Sequence, residues 1–313
     1  MGDKTQLALI GAGHWGKNLA RVFHELGILK TICESSKEIL SIKAAKYPEV
    51  VTTPSFDEVL ESPDINAIAI ATPAEKHYSM AKKALLADKH VFVEKPLSIT
   101  AQEGEDLVKI AKQKGKILFV GHILQYHPAL KIVKQMLQER ELGKLQYIYS
   151  NRLNLGKIRS EENILWSFAP HDISVILSLV GEEPIDVTAT GTNILHPKIA
   201  DTTITNMKFP SGVGAHIFVS WLHPFKDQKM IIIGDRKMVV FDDTAPIDKK
   251  LMLYPHQISW KGSVPIPEKK EGSPIDLAKD WEEPLIQEGR AFIDAINGQP
   301  VLTDGQEGLR VLR

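Results

Sequence analysis

The chain has 313 residues, 43% hydrophobic and 25% charged, with 38 Lys and Arg against 39 Asp and Glu and a net charge of −1. That balance describes a globular protein with room for about two domains, and it excludes a broadly basic nucleic-acid surface and a highly charged disordered chain. The single cysteine, Cys33, excludes an intramolecular disulfide and argues against a structural zinc site, and no H-E-x-x-H spacing points to another metal. No apolar run reaches the ~20 residues of a membrane span, and Leu7–Ile10 is too short for the core of a signal peptide, so a cytoplasmic location is expected.

In chain order, the first feature is Leu7–Ile10, an apolar strand leading into Gly11, Gly13 and Gly16 at the spacing G-x-G-x-x-G, with a helical pattern over Lys17–Leu26. The first glycine suits a tight strand-to-helix turn. The second lets backbone approach a pyrophosphate, and the third lets the helix pack on the strand. The helix start then offers unpaired N–H groups to the phosphates, so Gly11, Gly13, His14, Trp15 and Gly16 form the candidate nucleotide turn. Further apolar runs at 28–33, 50–53, 65–71, 90–93 and 116–120 alternate with helical patterns at 37–46, 77–87 and 101–114. Short apolar strands alternating with helices predict a doubly wound parallel sheet, a Rossmann-type α/β domain over residues 1–122. In such sheets ligands bind beyond the carboxyl ends of the strands.

Those ends hold the candidate cofactor residues. Glu34 closes the second strand, where a carboxylate accepts from both adenosine ribose hydroxyls and repels a 2′-phosphate, which favours NAD over NADP; a solvated loop glutamate is the plain alternative. The fourth strand ends in Thr72 and Pro73, extended by the proline in a way that suits a loop over a flat cofactor, and His77 follows at a helix start. His77 fits either the site or a surface position. The fifth strand ends Glu94-Lys95-Pro96, a charged pair leaving a buried strand. A lysine there can hydrogen-bond a substrate hydroxyl and stabilise developing oxyanion character, or simply turn to solvent.

After residue 122 the pattern changes to longer alternating strands at 145–153, 185–192, 202–209, 213–221, 230–233, 237–241 and 251–255, with hairpin turns at Pro210–Gly212 and Gly234-Asp235. This predicts an α+β domain over residues 123–313 with an open-faced, mainly antiparallel sheet. Trp221, Phe218 and Phe225 are expected to bury its uncovered face against another subunit of a homo-oligomer, a dimer or tetramer. Within it, Asn163–Gly181 has helical spacing and a glycine stop. Pro170 fits the first helical position, which places His171 and Asp172 in the first turn. The positive end of the helix then disfavours imidazolium and leaves His171 a proton acceptor. A capping or core role is the alternative for His171, and Asp172 there complements the dipole. Residues 257–280 read as a loop, 284–297 as an amphipathic helix, and a further helical pattern begins at Gly308 and runs to the end of the sequence.

Together, G-A-G-H-W-G at Gly11–Gly16, A-T-P at Ala71–Pro73, V-E-K-P at Val93–Pro96 and the His171-Asp172 pair resemble the Gfo/Idh/MocA family of NAD(P)-dependent sugar and inositol oxidoreductases, over essentially the whole chain. The resemblance implies an N-terminal Rossmann domain, a C-terminal open-faced sheet, and catalysis by Lys95 with His171. Many members carry an aspartate four residues before that histidine. This chain has Ser167, which cannot supply the same charge, so Asp172 or a substrate group is expected to substitute. Within the family, Trp166–Asp172, Gly121–Pro128 and Ser220–Pro224 look most like the nucleotide-sugar branch. That implies NAD-dependent oxidation of a UDP-N-acetylhexosamine at C3, with Ser167 and Asp172 at the substrate and Arg152, Lys157, Arg159 and His223 as candidates to meet the diphosphate. A UDP-N-acetylglucosaminuronate, a free sugar or an inositol is the alternative substrate, and a non-catalytic NAD-binding regulator the alternative class. A methyltransferase built on the glycine turn leaves Glu94-Lys95-Pro96 and the second sheet unexplained.

Overall fold

The computed structural model describes residues 5–156, 158–159 and 162–313. It divides into two compact units, residues 5–126 with 283–313, and residues 127–282. The last helices, expected in the second domain, belong instead to the first. Thr303 pairs with the strand edge there, its carbonyl accepting from Val120 N–H at 2.8 Å. The pattern shows that these helices are amphipathic but not which core their apolar stripe covers.

The first unit is built on six parallel strands, β1 (Leu7–Ile10), β2 (Leu29–Cys33), β3 (Val51–Thr53), β4 (Ala67–Ile70), β5 (His90–Glu94) and β6 (Leu118–Gly121), in the order β3-β2-β1-β4-β5-β6. Strand order reverses between β1 and β4, so the ligand crevice of such a sheet lies beyond their carboxyl ends. Between the strands run α1 (Gly16–Glu25), α2 (Lys37–Lys46), α3 (Phe56–Glu61), α4 (His77–Leu86) and α5 (Ala101–Lys114). The short α3 escaped the periodicity argument, since six residues hold fewer than two turns; Ser55 caps it by accepting from Glu58 N–H at 3.3 Å. Thr100 and Glu103 close a capping box on α5, and Gly115 ends it at φ +61°.

Alternation along the strands sends side chains to both faces, and both are covered. Leu7, Leu9, Phe92 and Phe119 join one core with Leu19, Val22 and Phe23 of α1. Ala8, Ile10, Ile70, Val91, Val93 and Val120 join the other, with Leu85 of α4 and Leu107 of α5.

The second unit begins with α6 (Pro128–Gln138), capped by His127, and carries β7 (Leu145–Leu153) and α7 (Ile164–Val180). Its sheet continues with β8 (Asp186–Thr192), β9 (Thr202–Lys208), β10 (Gly214–Ser220), β11 (Asp227–Gly234), β12 (Met238–Asp242) and β13 (Leu251–Tyr254). With a short edge strand, β16 (Ser273–Pro274), the order is β16-β13-β12-β11-β7-β10-β9-β8; β7 and β10 pair in parallel and the other neighbours antiparallel. Helix α7 packs on one face, against β7, β9 and β10. On the other, His216 stacks on Tyr149 at 5.1 Å, and Asn151, Ile204, Asn206, His216 and Phe218 line a shallow depression. Phe218 lies on that face, whereas Trp221 is fully buried and is removed from any candidate interface; Phe225 is exposed.

Residues 257–280, read as loop, contain a hairpin, β14 (Gln257–Lys261) and β15 (Val264–Glu268), separate from the main sheet. Its prolines hid it, because Pro265 and Pro267 argue against a strand unless it lies at an edge, which a two-stranded ribbon supplies. The chain then returns to the first unit through α8 (Pro284–Ile296) and α9 (Gly305–Leu312). Among the described residues no helix is long and apolar enough to cross a membrane.

Candidate active site

At the end of β1 the backbone turns through Gly11 at φ +88°, and a Cβ there would lie 2.9 Å from the carbonyl oxygen of Ala71. A Cβ on Gly16 would fall 2.0 Å from the carbonyl oxygen of Gly11, so only glycine permits this contact of helix with turn. Gly13 is different: a Cβ there meets nothing within 4 Å. Two glycines thus serve the fold, and the third leaves backbone open on the side where a pyrophosphate would approach. Helix α1 has no side-chain cap; the N–H groups of Lys17 and Asn18 donate to the carbonyl oxygens of Gly13 and Trp15 at 3.1 and 2.8 Å, and the positive end of the helix dipole lies at the turn where an anion would sit.

Glu34 reaches back to the same turn. Its carboxylate accepts from Ala12 N–H at 2.8 Å, from Ser36 N–H at 3.0 Å and from the Ser35 hydroxyl at 3.2 Å. Partial burial alone would raise its pKa; the N–H donors of Ser36 and Ala12 outweigh that and hold the carboxyl below its ordinary value. An ionised acceptor beside a glycine turn fits a ribose diol, and these residues together fit a bound dinucleotide. Neighbouring Cys33, buried at the end of β2, has its thiol pushed up to about 11 by burial and then by the charge of Glu34, which leaves it a packing residue.

The A-T-P and E-K-P segments are joined by one side chain. His77 is buried, with Nδ1 2.7 Å from the carbonyl oxygen of Pro96 and Nε2 2.9 Å from that of Thr72. Burial, opposed by those two hydrogen bonds, lowers its pKa, and the Lys95 ammonium lowers it further. His77 therefore braces the loops after β4 and β5 from within, buried and away from the surface position that its helix start also allowed. The helix-start position was legible; the two carbonyl partners, 5 and 19 residues away, were not. Lys95 is partly exposed, and its ammonium acts on both His77 and Glu94. Glu94 is buried and accepts a short hydrogen bond from the indole Nε1 of Trp15, so it too is an internal tie of the turn to β5. His14 is exposed beside it.

In the second unit the site residues fall differently. Asn163 caps α7, accepting from Trp166 N–H at 3.1 Å, so the helix starts well before Pro170, which lies inside it. His171 and Asp172 are mid-helix, and the helix-terminus argument for a neutral His171 does not hold. A proline reads as a helix start only when its missing N–H would have been unpaired, and the cap at Asn163 was the stronger signal. His171 is partly exposed, and Ser167, one turn earlier, is buried.

Asp172 is also buried, and it accepts from Arg152 Nε at 2.6 Å, Arg152 Nη2 at 3.3 Å and the Ser150 hydroxyl at 2.6 Å. Burial would lower the Arg152 pKa; the charge and hydrogen bonds of Asp172 reverse that and raise it. Asp172 and Arg152 hold α7 to β7, and the Asp172 carboxylate is committed to Arg152 and Ser150. Arg159 pairs with Glu162 at 2.9 Å, and His223 Nδ1 lies 2.7 Å from the carbonyl oxygen of Phe225. Lys157 lies outside the described residues. Among the described residues no cluster of His, Cys, Asp and Glu has the make-up of a metal site.

Comparison with known proteins agrees with this architecture. Residues 5–122 match the model of an oxidoreductase family with an NAD-binding Rossmann fold, and residues 130–240 match a GFO/IDH/MocA C-terminal domain. The chain is 30% identical over 312 residues to a UDP-N-acetylglucosamine 3-dehydrogenase of Acidithiobacillus ferrooxidans, an alignment covering 97% of this chain and 93% of that protein. A solved structure of that dehydrogenase superposes with a TM-score of 0.84 at 27% identity, covering 98% of this chain and 94% of that one. A scyllo-inositol 2-dehydrogenase (NAD(+)) of Bacillus subtilis is 29% identical over 188 residues, 56% of this chain and 55% of its own length. The glycine turn, the parallel sheet and the second, mixed sheet are thus those of relatives, and the chain belongs to the Gfo/Idh/MocA family of NAD(P)-dependent oxidoreductases.

Proposed function

We propose that the protein is an NAD-dependent dehydrogenase that oxidises the C3 hydroxyl of UDP-N-acetylglucosamine to the 3-keto sugar. The observation that carries the substrate is the near-full-length likeness, through both units, to an enzyme of that name. The preference for NAD rests on Glu34, an ionised carboxylate bonded to the nucleotide turn, which would repel a 2′-phosphate.

Bound NAD supplies the hydride acceptor. Lys95, presented at the end of β5, donates a hydrogen bond to the reacting hydroxyl and stabilises the negative charge that develops on its oxygen. His171 of the second unit accepts the hydroxyl proton as a general base. Ser167, one turn earlier on α7, cannot bring a negative charge to that imidazole, as an aspartate there would. The protein works as a homo-oligomer through the sheet face that carries Phe218, in the cytoplasm.

A second reading, a free sugar or inositol as substrate, gains from Arg152, whose guanidinium is committed to Asp172 and so is removed from the groups available to a diphosphate. Absorbance of NADH at 340 nm, followed with UDP-N-acetylglucosamine, glucose and inositol in parallel and with NADP as alternative oxidant, separates these. Turnover with UDP-N-acetylglucosamine and NAD is expected. Turnover with an unphosphorylated polyol alone would replace the substrate and keep the enzyme class, and tight NAD binding with no turnover on any of them would favour a regulator.

A further inference from the structure

Helix α8 places an unexplained acid in the core of the first unit. Its Phe292 ring lies edge-on to Phe92 of β5 at 5.7 Å and to Phe119 of β6 at 5.5 Å. One helical turn earlier on α8 is Glu288, and two residues further along the strands, on the same face, are Glu94 and Gly121. A turn of helix advances ~5.4 Å and two strand residues ~6.6 Å, so a helix antiparallel to the strands brings Glu288 over Glu94. Two observations bear this out. A Cβ on Gly121 would meet the Glu94 carboxylate at 2.9 Å, so that carboxylate lies flat over β6. The charge of Glu94 is also felt at Glu288.

Glu288 is 1% exposed, and neither carboxyl oxygen has a hydrogen-bond partner among the described residues. Around the pair stand the Lys95 ammonium, His122, which is 2.6 Å from Glu307, and Tyr126, whose hydroxyl is 3.0 Å from that of Thr303. The cationic and donor groups, Lys95, His122 and Trp15, act on Glu94. Two carboxylates cannot both ionise in such a place, and the better-served one takes the charge.

We propose that Glu288 is a positioning residue of the nucleotide site: it holds the proton of a buried carboxyl pair, and so leaves Glu94 as the single charge that ties the Trp15 indole to the strand delivering Lys95. Burial raises both groups, Glu94 to about 7 despite Trp15 and Lys95, and Glu288 further above its ordinary value through the added charge of Glu94. Carboxyls raised by folding favour the native state at low pH and lose that contribution as pH rises through their folded values. Above neutrality the pair is therefore driven toward double ionisation, Glu94 and Glu288 repel, and the grip on Trp15 loosens.

This inference rests on the NAD reading above, and its test keeps the two apart. Calorimetric titration of the full chain with NAD from pH 6 to 9, with Tm recorded alongside, compares the native protein with Glu288→Gln, which copies the neutral acid. The native protein is expected to lose NAD affinity by about threefold or more between pH 7 and 9 as Tm falls, and Glu288→Gln to lose less than half as much on a log scale and to have the higher Tm at pH 9 but not at pH 6. Glu288→Met, of the same length, serves the comparison if the glutamine variant does not fold. Parallel pH curves for native protein and variant, in affinity and in Tm, overturn the inference. Binding of NADP but not NAD overturns the cofactor reading instead, and the same series with NADP then decides Glu288. A difference confined to Tm would leave Glu288 a proton holder without a part in nucleotide binding, which also overturns its positioning role.

Discussion

The two units place their functional side chains by different rules. In the first, Gly11, Glu34, Thr72 and Lys95 sit at the carboxyl ends of strands, where an open parallel sheet exposes them by construction. In the second, Arg152 lies within β7, with Asp172 and His171 in the middle of α7, and what each does depends on which neighbour it meets across the layer. A residue at a strand end inherits a role from topology. A residue in mid-element has its role decided by a partner far away in sequence, and Asp172, adjacent to His171, belongs to the core.

Substitutions at six positions would break or sharpen that contrast, the largest effect coming at the strand end. Lys95→Ala is expected to lower kcat/KM by about 10²–10⁴, because in the proposed mechanism the ammonium donates to the reacting oxygen. Steady-state kinetics with a separate NAD titration checks it, and unchanged kcat would remove Lys95 from the chemistry. In the second unit the loss should appear in stability. Asp172→Ala strands the buried Arg152 guanidinium at a cost of about 3–5 kcal/mol, whereas Arg152→Met with Asp172→Leu removes both charges and should recover most of it. Urea unfolding of single and double variants measures the difference. Equal stability of all forms would mean the pair is not buried as described.

Within the glycine turn, Gly16→Ala should cost about 1–3 kcal/mol or more and abolish NAD binding, since its Cβ has no room against Gly11. Gly13→Ala should leave Tm within a degree or two and weaken NAD alone. Thermal melts with and without NAD separate the two; equal losses of Tm would show that both glycines serve the fold. The smallest expected change is in cofactor choice. Glu34→Gln should narrow the preference for NAD over NADP by about tenfold, roughly 1.4 kcal/mol, read from the ratio of kcat/KM values.

Much of the first unit was legible in the sequence because its signals are local. The glycine spacing, the apolar strands and the helical periodicity between them each act within a few residues. The strand pattern of the second sheet was equally plain, since alternation with period two survives whatever it packs against. What stayed hidden was pairing at long range. Trp221 looked like an interface aromatic and is fully buried, and His77 looked like a helix-start histidine near a cofactor and spans two loops through carbonyl oxygens. Pro170 suggested a helix start that Asn163 had already made.

By itself the sequence determined the order and kind of most elements, the short α3 and the β14–β15 hairpin excepted, together with the nucleotide turn and the lysine after β5, because backbone sterics and apolar periodicity are properties of neighbouring residues. Only the tertiary structure decided that α8 and α9 complete the first unit, that Arg152 is committed to Asp172, and that the Glu288 carboxyl is buried without a hydrogen-bond partner among the described residues. Those are outcomes of burial, where a charged group must find its partner across the core or give up its charge, and no spacing along the chain records which partner that is.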